Sequence, residues 1–272
     1  AFPFAGYRPG QRPMAVEVYR TIRSGGQFIV EAATGIGKTM AAVFPAVKAL
    51  AEGLTSKIFY LTARTTARSA AEKALAKLSR SGLHLKYLTL TAKDKICFNP
   101  ENDCSGEGCD FARGYYDRLR EALPEIFSRD AMDRPFIEEV ARAYRLCPFE
   151  LSLTLAVYCD CIICDYNYAF DPRVYLRRFF LEGAGDYTFL IDEAHNLVDR
   201  SREMFSADEM KATYIGLPMG LAPTSRSRGK FCMLREPTWI MSATSAVRST
   251  SRGSSTMQKF SWFSSAAPRV QL

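Results

Sequence analysis

Histidine and long apolar runs are the features that this 272-residue sequence most clearly lacks. Its only histidines are His84 and His195, and His84 lies in a stretch with no other catalytic signal, so acyl transfer and cysteine-nucleophile chemistry are disfavoured. No apolar run approaches the roughly 18 residues that span a bilayer, so we expect no membrane partner. The sequence begins with alanine and without a secretory signal, so we expect a fragment of a protein that is not secreted.

Cysteine, in contrast, is abundant, with eight residues. Because we expect a reducing interior, clustered cysteines favour metal binding or catalysis over disulfides. The net charge of +7 suits a polyanionic partner such as nucleic acid, although many ordinary enzymes reach it. With 47% hydrophobic and 24% charged residues, the composition is typical of a globular protein with a sizeable core.

Apolar patterning in the first ninety residues alternates between strands and helices. We predict strands at 27–31, 57–62 and 85–90, with helices at 38–50 and 65–78. This order implies an α/β fold with a parallel sheet and helices on its faces.

Further along the chain the pattern is interrupted at residues 93–150, which we interpret as an insert. Its early part is rich in cysteine, glycine, asparagine and aspartate, and helices are predicted near 113–123 and 136–145. The remaining predicted strands lie at 157–164, 187–192 and 238–242. Polar Ser/Arg-rich stretches at 224–229 and 249–255 indicate linker or disorder.

A glycine-rich turn between the first strand and its helix has the pattern of a phosphate-binding loop. Residues 31–39 (EAATGIGKT) carry Ala32 in place of the usual first glycine. Backbone N–H groups at a helix N-terminus bind phosphate oxygens, and glycines permit the tight path. Lys38 would reach the β- and γ-phosphates and Thr39 would bind Mg²⁺. The expected nucleotide contacts are Thr34, Gly35, Ile36, Gly37, Lys38 and Thr39.

Two carboxylates at the end of a later apolar strand supply the second half of such a site. In residues 188–195 (TFLIDEAH), Asp192 can hold Mg²⁺ and Glu193 can orient or deprotonate the attacking water. His195 would link the nucleotide site to a neighbouring motif. Taken alone, the same residues could be capping acids at a helix start, but the phosphate loop favours a nucleotide site. We therefore expect the catalytic residues to be Lys38, Asp192, Glu193 and His195.

Together these motifs resemble the superfamily 2 helicases, specifically the iron–sulfur DNA helicases of the XPD/DinG group. Residues 7–14 (YRPGQRPM) resemble its N-terminal segment, in which Gln11 would contact adenine. Residues 60–65 (YLTART) resemble the segment that touches the DNA backbone, and 242–244 (SAT) the one that couples hydrolysis to strand movement. The resemblance covers roughly residues 4–200 and the stretch around 237–245, and it implies a RecA-like motor lobe.

Four cysteines fall where the XPD/DinG group carries its iron–sulfur insert. Residues 96–101 (ICFNPE) resemble the first ligand segment and residues 146–150 (LCPFE) the last. By resemblance, the ligands of a [4Fe–4S] cluster are Cys97, Cys104, Cys109 and Cys147. Tetrahedral zinc also accepts four thiolates, so the spacing itself leaves both metals open.

Two further groups of side chains can each be interpreted as structural or as functional. Cys159, Cys161 and Cys164 lie in a β-like apolar run, which favours core packing over a second metal site. Aromatic and basic residues of the insert could bind single-stranded DNA by stacking and charge, or could pack the insert. These residues are Phe111, Arg113, Tyr115, Tyr116, Arg118 and Arg120.

The resemblance implies an ATP-dependent helicase lobe that uses ATP, Mg²⁺ and the cluster. It would translocate 5′ to 3′ on single-stranded or forked DNA, and the cluster would shape a strand-separating wedge. A cytoplasmic, nucleoid-associated location is expected if the source is bacterial. The expected division is a motor lobe at 1–92 and 151–245, an iron–sulfur insert at 93–150 and a disordered tail at 246–272.

The sequence also departs from the group's pattern. The stretch between His195 and Ser242 is too short for the group's helical arch, Ser245 stands where leucine is common, and no second motor lobe follows. Two alternatives therefore stay open. One is a truncated, non-catalytic module that binds DNA or protein, and the other is a different P-loop NTPase with a structural zinc site.

Overall fold

The computed structural model of the chain describes residues 2–101, 104, 108–180, 185–204, 230–235 and 269–271. These residues divide into two units. The cysteine unit comprises Arg64–Cys164, and the phosphate-loop unit comprises the described parts of Phe2–Ala63 and Asp165–Leu272.

The described residues form the following strands and helices. The strands are β1 (Gln27–Glu31), β2 (Lys57–Leu61), β3 (Tyr87–Thr89), β4 (Ala131–Met132), β5 (Cys161–Cys164), β6 (Tyr187–Asp192), β7 (Lys230–Arg235) and β8 (Arg269–Gln271). The helices are α1 (Gln11–Ser24), α2 (Lys38–Ala51), α3 (Thr65–Arg80), α4 (Lys93–Ile96), α5 (Tyr115–Phe127), α6 (Arg134–Ala143), α7 (Pro148–Ala156), α8 (Asn167–Phe170), α9 (Arg177–Phe180) and α10 (Leu197–Met204). Among these helices, none has the length and apolar character needed to cross a bilayer.

The phosphate-loop unit is built on a parallel sheet with the strand order β2-β6-β7-β1-β8. All five residues of β2 are buried, as expected for a strand of a parallel sheet that is covered on both faces. Helices α1 and α2 pack against each other, and α1 buries Met14, Val18 and Ile22 at four-residue spacing. Because all these strands run in parallel, their carboxyl ends share one edge of the sheet.

The cysteine unit contains a second run of parallel strands, in the order β4-β3-β5. Helix α3 packs against β3 and β5, α7 packs against β3, and both α4 and α6 contact α7. The helices bury an apolar core that consists of Leu75, Leu119, Ile126, Ile137, Val140, Leu151 and Leu155. Helix α6 has a side-chain cap, because the Asp133 carboxylate accepts a hydrogen bond from the N–H of Phe136 at 3.1 Å.

The parallel α/β architecture is confirmed, but several sequence-based boundaries differ from the structure by a few residues, and the largest differences concern the strands β5, β7 and β8. The strand expected at 157–164 begins only at Cys161, because α7 extends to Ala156 and a turn follows. At that turn the Asp160 carboxylate accepts a hydrogen bond from the N–H of Lys86 at 2.9 Å, which fixes the start of β5.

The other two differences are strands in regions that gave no strand signal. The weakly patterned region before residue 236 contains β7, and the tail expected to be disordered over 246–272 contains β8 at Arg269–Gln271. Both pair with β1 through backbone groups, which any sequence supplies. The strand expected at 238–242 and the 242–244 segment, with Ser242 and Thr244, lie outside the described residues.

Candidate functional site

The phosphate loop runs from the end of β1 to the start of α2. Gly35 and Gly37 have φ values of 87° and 83°, a left-handed conformation that favours glycine. A Cβ atom at Gly37 would lie 2.4 Å from Nε2 of Gln11, so a side chain here would displace the end of the Gln11 side chain. Within the described residues, only Arg145 and Glu193 combine a side chain with positive φ, so Ala32 fits its position without backbone strain.

Lys38 lies at the first position of α2 and folds back over the loop. Its Nζ atom donates a hydrogen bond to the carbonyl of Ala32 at 3.1 Å. The residues expected to contact nucleotide, Thr34, Gly35, Ile36, Gly37 and Thr39, are all at least partly exposed. The loop thus presents a lysine and backbone N–H groups at the N-terminus of a 14-residue helix, where an anion is stabilised.

The N-terminal segment is attached directly to this loop. The Gln11 side chain accepts a hydrogen bond from the N–H of Arg8 at 3.0 Å and donates one to the carbonyl of Gly37 at 3.2 Å. The Arg8 guanidinium donates to the carbonyl of Gly35 at 2.5 Å. The structure therefore brings Gln11 to the phosphate loop, and it adds Arg8, for which the sequence gave no separate signal.

The acidic pair lies at the carboxyl end of β6, between β2 and β7. Asp192 is buried, and it accepts a hydrogen bond at Oδ2 from the Tyr60 hydroxyl at 2.9 Å. Burial raises the pKa of Asp192, while the Tyr60 hydrogen bond and the charge of Lys38 oppose that shift. The influence of the Lys38 charge means that the phosphate loop and the acidic pair share one electrostatic environment.

Glu193 follows in a left-handed backbone conformation, with φ 53° and ψ 44°. This conformation costs a residue with a side chain about 1–3 kcal/mol, so neighbouring contacts must hold it. The Tyr166 hydroxyl donates to the carbonyls of Asp192 and Glu193, and Nδ2 of Asn196 donates to the Glu193 carbonyl at 3.1 Å. Nδ1 of His195 lies 3.5 Å from a Glu193 carboxylate oxygen and forms an ion pair only when protonated.

Sequence reasoning did not identify Tyr60 and Tyr166. Tyr60 carries a hydroxyl in a fully buried strand whose other residues are apolar except for Lys57, and Tyr166 belongs to the segment 165–168 that directly follows β5. A tyrosine that is fully buried needs a partner for its hydroxyl, which is the signal that could have found both residues.

The four cysteines expected to bind metal all lie in the cysteine unit. Cys97 accepts a hydrogen bond from the N–H of Asn99 at 3.4 Å, and Cys147 receives N–H groups of Phe149 and Glu150 at the start of α7. Burial raises the pKa of Cys147, and the charges of Cys97 and Cys109 raise it further. Among the described side chains, however, no group of three or more potential ligands is arranged to hold a metal ion, so the cluster stays a prediction.

A lysine lies beside the same thiols. The pKa of Lys93 is raised by a hydrogen bond with Cys104 and by the charges of Cys104, Cys97 and Cys147. Together with the mutual influence of Cys147, Cys97 and Cys109, this indicates that the four thiols share one neighbourhood.

The later cysteines are core residues. Cys159, Cys161 and Cys164 are all buried, and Sγ of Cys159 lies 3.5 Å from Sδ of Met132. These positions support packing rather than a second metal site.

The aromatic and basic residues of the insert divide into two sets. Phe111 packs edge-on against Phe98 with ring centroids 5.2 Å apart, and the Arg118 guanidinium donates to the Arg145 carbonyl at 2.8 Å. Tyr115 is buried, with its hydroxyl 3.3 Å from that of Thr154. The exposed set consists of Arg113, Tyr116 and Arg120.

The proteins to which this chain is similar are helicases, which agrees with a phosphate loop and an acidic pair in one unit. The DEAD_2 family model matches residues 62–213, more than half of the chain. The chain is 24% identical over 248 residues to the general transcription and DNA repair factor IIH helicase subunit XPD/RAD3 of Saccharomyces cerevisiae, covering 76% of this chain and 31% of that protein. It is 27% identical over 168 residues to a regulator of telomere elongation helicase 1 homolog of Anopheles gambiae, covering 56% of this chain and 16% of that protein.

A solved structure of an XPD helicase matches with a TM-score of 0.54 at 20% identity, covering 74% of this chain and 35% of the other. At this identity the match shows a similar fold and nothing more. The chain spans less than a third of the length of the curated relatives named above. The chain belongs to the DEAD_2 family and has the RecA-like fold of the N-terminal motor lobe of an XPD-like superfamily 2 helicase.

Proposed function

We propose that this lobe binds Mg²⁺–ATP between the phosphate loop and the acidic pair and hydrolyses it to drive movement on single-stranded DNA. One observation carries the proposal. Lys38, at the start of α2, and Asp192, at the end of β6, lie in one unit and close enough for the lysine charge to oppose the rise that burial causes in the pKa of the carboxylate. A phosphate-binding lysine beside a strand-end carboxylate is the arrangement that P-loop hydrolysis requires.

Each side chain has a distinct role in this proposal. Lys38 exchanges the Ala32 carbonyl for the β- and γ-phosphates, and Gln11, which already bonds the loop, contacts the adenine. Thr39 and Asp192 would hold Mg²⁺, which neutralises phosphate charge when bound. Glu193 accepts a proton from, or orients, the attacking water, and His195 relays the state of Glu193 to the following helix.

Nucleotide titration of the full chain tests this role. We expect Lys38→Ala to weaken binding of a fluorescent ATP analogue at least about tenfold, since a charge-assisted phosphate contact is lost. Lys48→Ala is the matched control, because Lys48 lies on the same helix with an exposed side chain. Glu193→Gln should keep binding and lose hydrolysis by about 100-fold or more. A lobe that binds ATP without any hydrolysis would instead support a non-catalytic DNA- or protein-binding module.

The four cysteines fit an iron–sulfur cluster in their chemistry. N–H groups point at the sulfurs of Cys97 and Cys147, as they do at cluster thiolates. Burial keeps Cys147 protonated unless a cation compensates, and a bound metal deprotonates a coordinating thiol. We propose that Cys97, Cys104, Cys109 and Cys147 hold a [4Fe–4S] cluster that braces a DNA-separating wedge without redox turnover.

Metal content tests the cluster. Protein purified without air should be brown and contain about four irons per chain. Cys147→Ser should lose the colour and iron, whereas Cys159→Ser, in the buried core, should keep both. A colourless protein with one zinc would favour a P-loop NTPase with a structural zinc site.

The DNA part of the proposal rests on the family. The named relatives are helicases, and the chain spans only part of their length. From this relationship we propose 5′-to-3′ movement and a preference for single-stranded or forked DNA. We also propose a nucleoid location if the source is bacterial. An assay of ATP hydrolysis with and without single-stranded DNA tests the coupling, and stimulation by DNA is the expected result.

A further inference from the structure

Two buried tyrosine hydroxyls converge on the acidic pair from different elements of the phosphate-loop unit. Tyr60 lies in β2 and Tyr166 lies just before α8, and both side chains are fully buried. Each hydroxyl is hydrogen-bonded to a different part of Asp192 and Glu193. Loss of either hydroxyl should therefore affect a different property of the acidic pair.

Tyr60 acts on a carboxylate. Its hydroxyl donates to Oδ2 of Asp192, and it also has a hydrogen bond with the Thr39 side chain. The tyrosine thus lies between the two side chains proposed to hold Mg²⁺. The Tyr60 bond fixes one Asp192 oxygen, and the carboxylate also has a hydrogen bond with the backbone of Glu193, so it has little freedom to rotate away from a bound Mg²⁺.

Tyr166 acts on the backbone. Its hydroxyl donates to the carbonyl of Asp192 and lies 3.2 Å from that of Glu193, the residue with φ 53°. Both carbonyls must point the same way to share one donor, and the left-handed turn at Glu193 makes this possible. Asn196 also donates to the Glu193 carbonyl, at 3.1 Å, and its side chain has a hydrogen bond with the Tyr166 hydroxyl.

We propose that Tyr60 and Tyr166 are positioning residues for the acidic pair, with Tyr60 fixing the Asp192 carboxylate for Mg²⁺ and Tyr166 fixing the left-handed turn that aims Glu193 at the attacking water. This inference rests on the proposed ATP hydrolysis. It assigns metal dependence to one hydroxyl and the hydrolytic step to the other.

The Tyr60 half predicts a change in metal dependence. In Tyr60→Phe, the buried Asp192 loses one of its two hydrogen-bond donors and its carboxylate is held less firmly, so the Mg²⁺ concentration for half-maximal binding of a fluorescent ATP analogue should rise about tenfold. Binding measured without Mg²⁺ should stay within about twofold of wild type, since the phosphate loop is untouched. An unchanged Mg²⁺ dependence would overturn this half.

The Tyr166 half predicts a change in rate. A misplaced general base costs catalysis without a matching loss of substrate affinity, so Tyr166→Phe should slow single-turnover hydrolysis about 10- to 100-fold with nucleotide affinity within about twofold. Asn196→Ala removes the second donor to the Glu193 carbonyl and the hydrogen bond between the Asn196 side chain and the Tyr166 hydroxyl, while it leaves the buried Tyr166 ring in place, and it should slow hydrolysis in the same direction. This second variant keeps the test available if Tyr166→Phe folds poorly.

Tyr87→Phe is the matched control, since Tyr87 is a buried strand tyrosine of the cysteine unit. It should behave like wild type in both assays. If Tyr166→Phe and Asn196→Ala hydrolyse ATP at the wild-type rate, or lose affinity in parallel with rate, the positioning role is wrong. If the wild-type chain shows no Mg²⁺-dependent nucleotide binding, the proposed function itself fails, and the inference with it.

Discussion

Gly37 shows how a single residue joins the N-terminal segment to the phosphate loop. Its φ of 83° favours glycine, and a Cβ atom there would lie 2.4 Å from Nε2 of Gln11, so a side chain would displace the end of the Gln11 side chain. We expect Gly37→Ala to displace Gln11 and weaken nucleotide binding about tenfold or more, because the loop N–H groups would leave their path.

The chain offers a matched control for this prediction. Gly53 has a similar φ of 71°, but a Cβ there would meet nothing within 4 Å. Gly53→Ala should therefore carry the backbone cost alone, about 1 kcal/mol of stability, with unchanged nucleotide affinity. Titration with a fluorescent nucleotide and thermal unfolding separate the two effects. Equal affinities for the two variants would contradict the role of the Gln11 contact.

The sequence predicts some site residues far better than others. Lys38, Asp192 and Glu193 follow from short local patterns, because glycine spacing and a strand-end carboxylate pair are visible without the fold. Tyr60 and Tyr166 could not be found this way. A tyrosine in an apolar strand resembles any core aromatic until the partner of its hydroxyl, more than a hundred residues away for Tyr60, is known.

The ends of a strand could be predicted where glycine-rich or polar residues follow directly on an apolar run. The predicted bounds of β1 agree with the structure, and so do those of β6, since a glycine-rich turn or a polar pair follows an apolar run. The start of β5 was missed because the apolar character of α7 continues into the strand. β8 was missed because parallel pairing with β1 depends on backbone hydrogen bonds, which leave little trace in sequence.

At the level of elements, the cap of α6 makes a stability prediction for the cysteine unit. Asp133→Ala removes the acceptor for the N–H of Phe136 and should lower the free energy of unfolding by about 1 kcal/mol. Asp117→Ala is the control, since Asp117 lies in the first turn of α5, whose N-cap is Gly114. Its effect should be limited to the smaller helix-dipole contribution, about 0.3–1 kcal/mol. Chemical denaturation measures both, and equal losses would argue against the cap.

For the whole molecule, the positive charge and the exposed aromatics make separate contributions to DNA binding. A net charge of +7 attracts phosphates without regard to sequence, so affinity for single-stranded DNA should fall steeply as salt rises. Stacking on an exposed ring contributes about 1–3 kcal/mol per base and releases no counterions. The two contributions can therefore be told apart by salt titration.

Tyr116 provides that distinction, because 69% of its surface is exposed in the segment that also presents Arg113 and Arg120. We expect Tyr116→Ala to weaken binding of an oligothymidine about tenfold at every salt concentration, leaving the slope of log affinity against log salt unchanged. Tyr158→Ala is the control, since Tyr158 is 59% exposed in the same unit and also has an edge contact with a neighbouring ring, but it lies outside the segment that presents Arg113 and Arg120. Equal effects of both variants would mean that the exposed rings bind DNA without selection by position, and a changed slope for Tyr116→Ala would mean that the ring acts through its charged neighbours rather than by stacking.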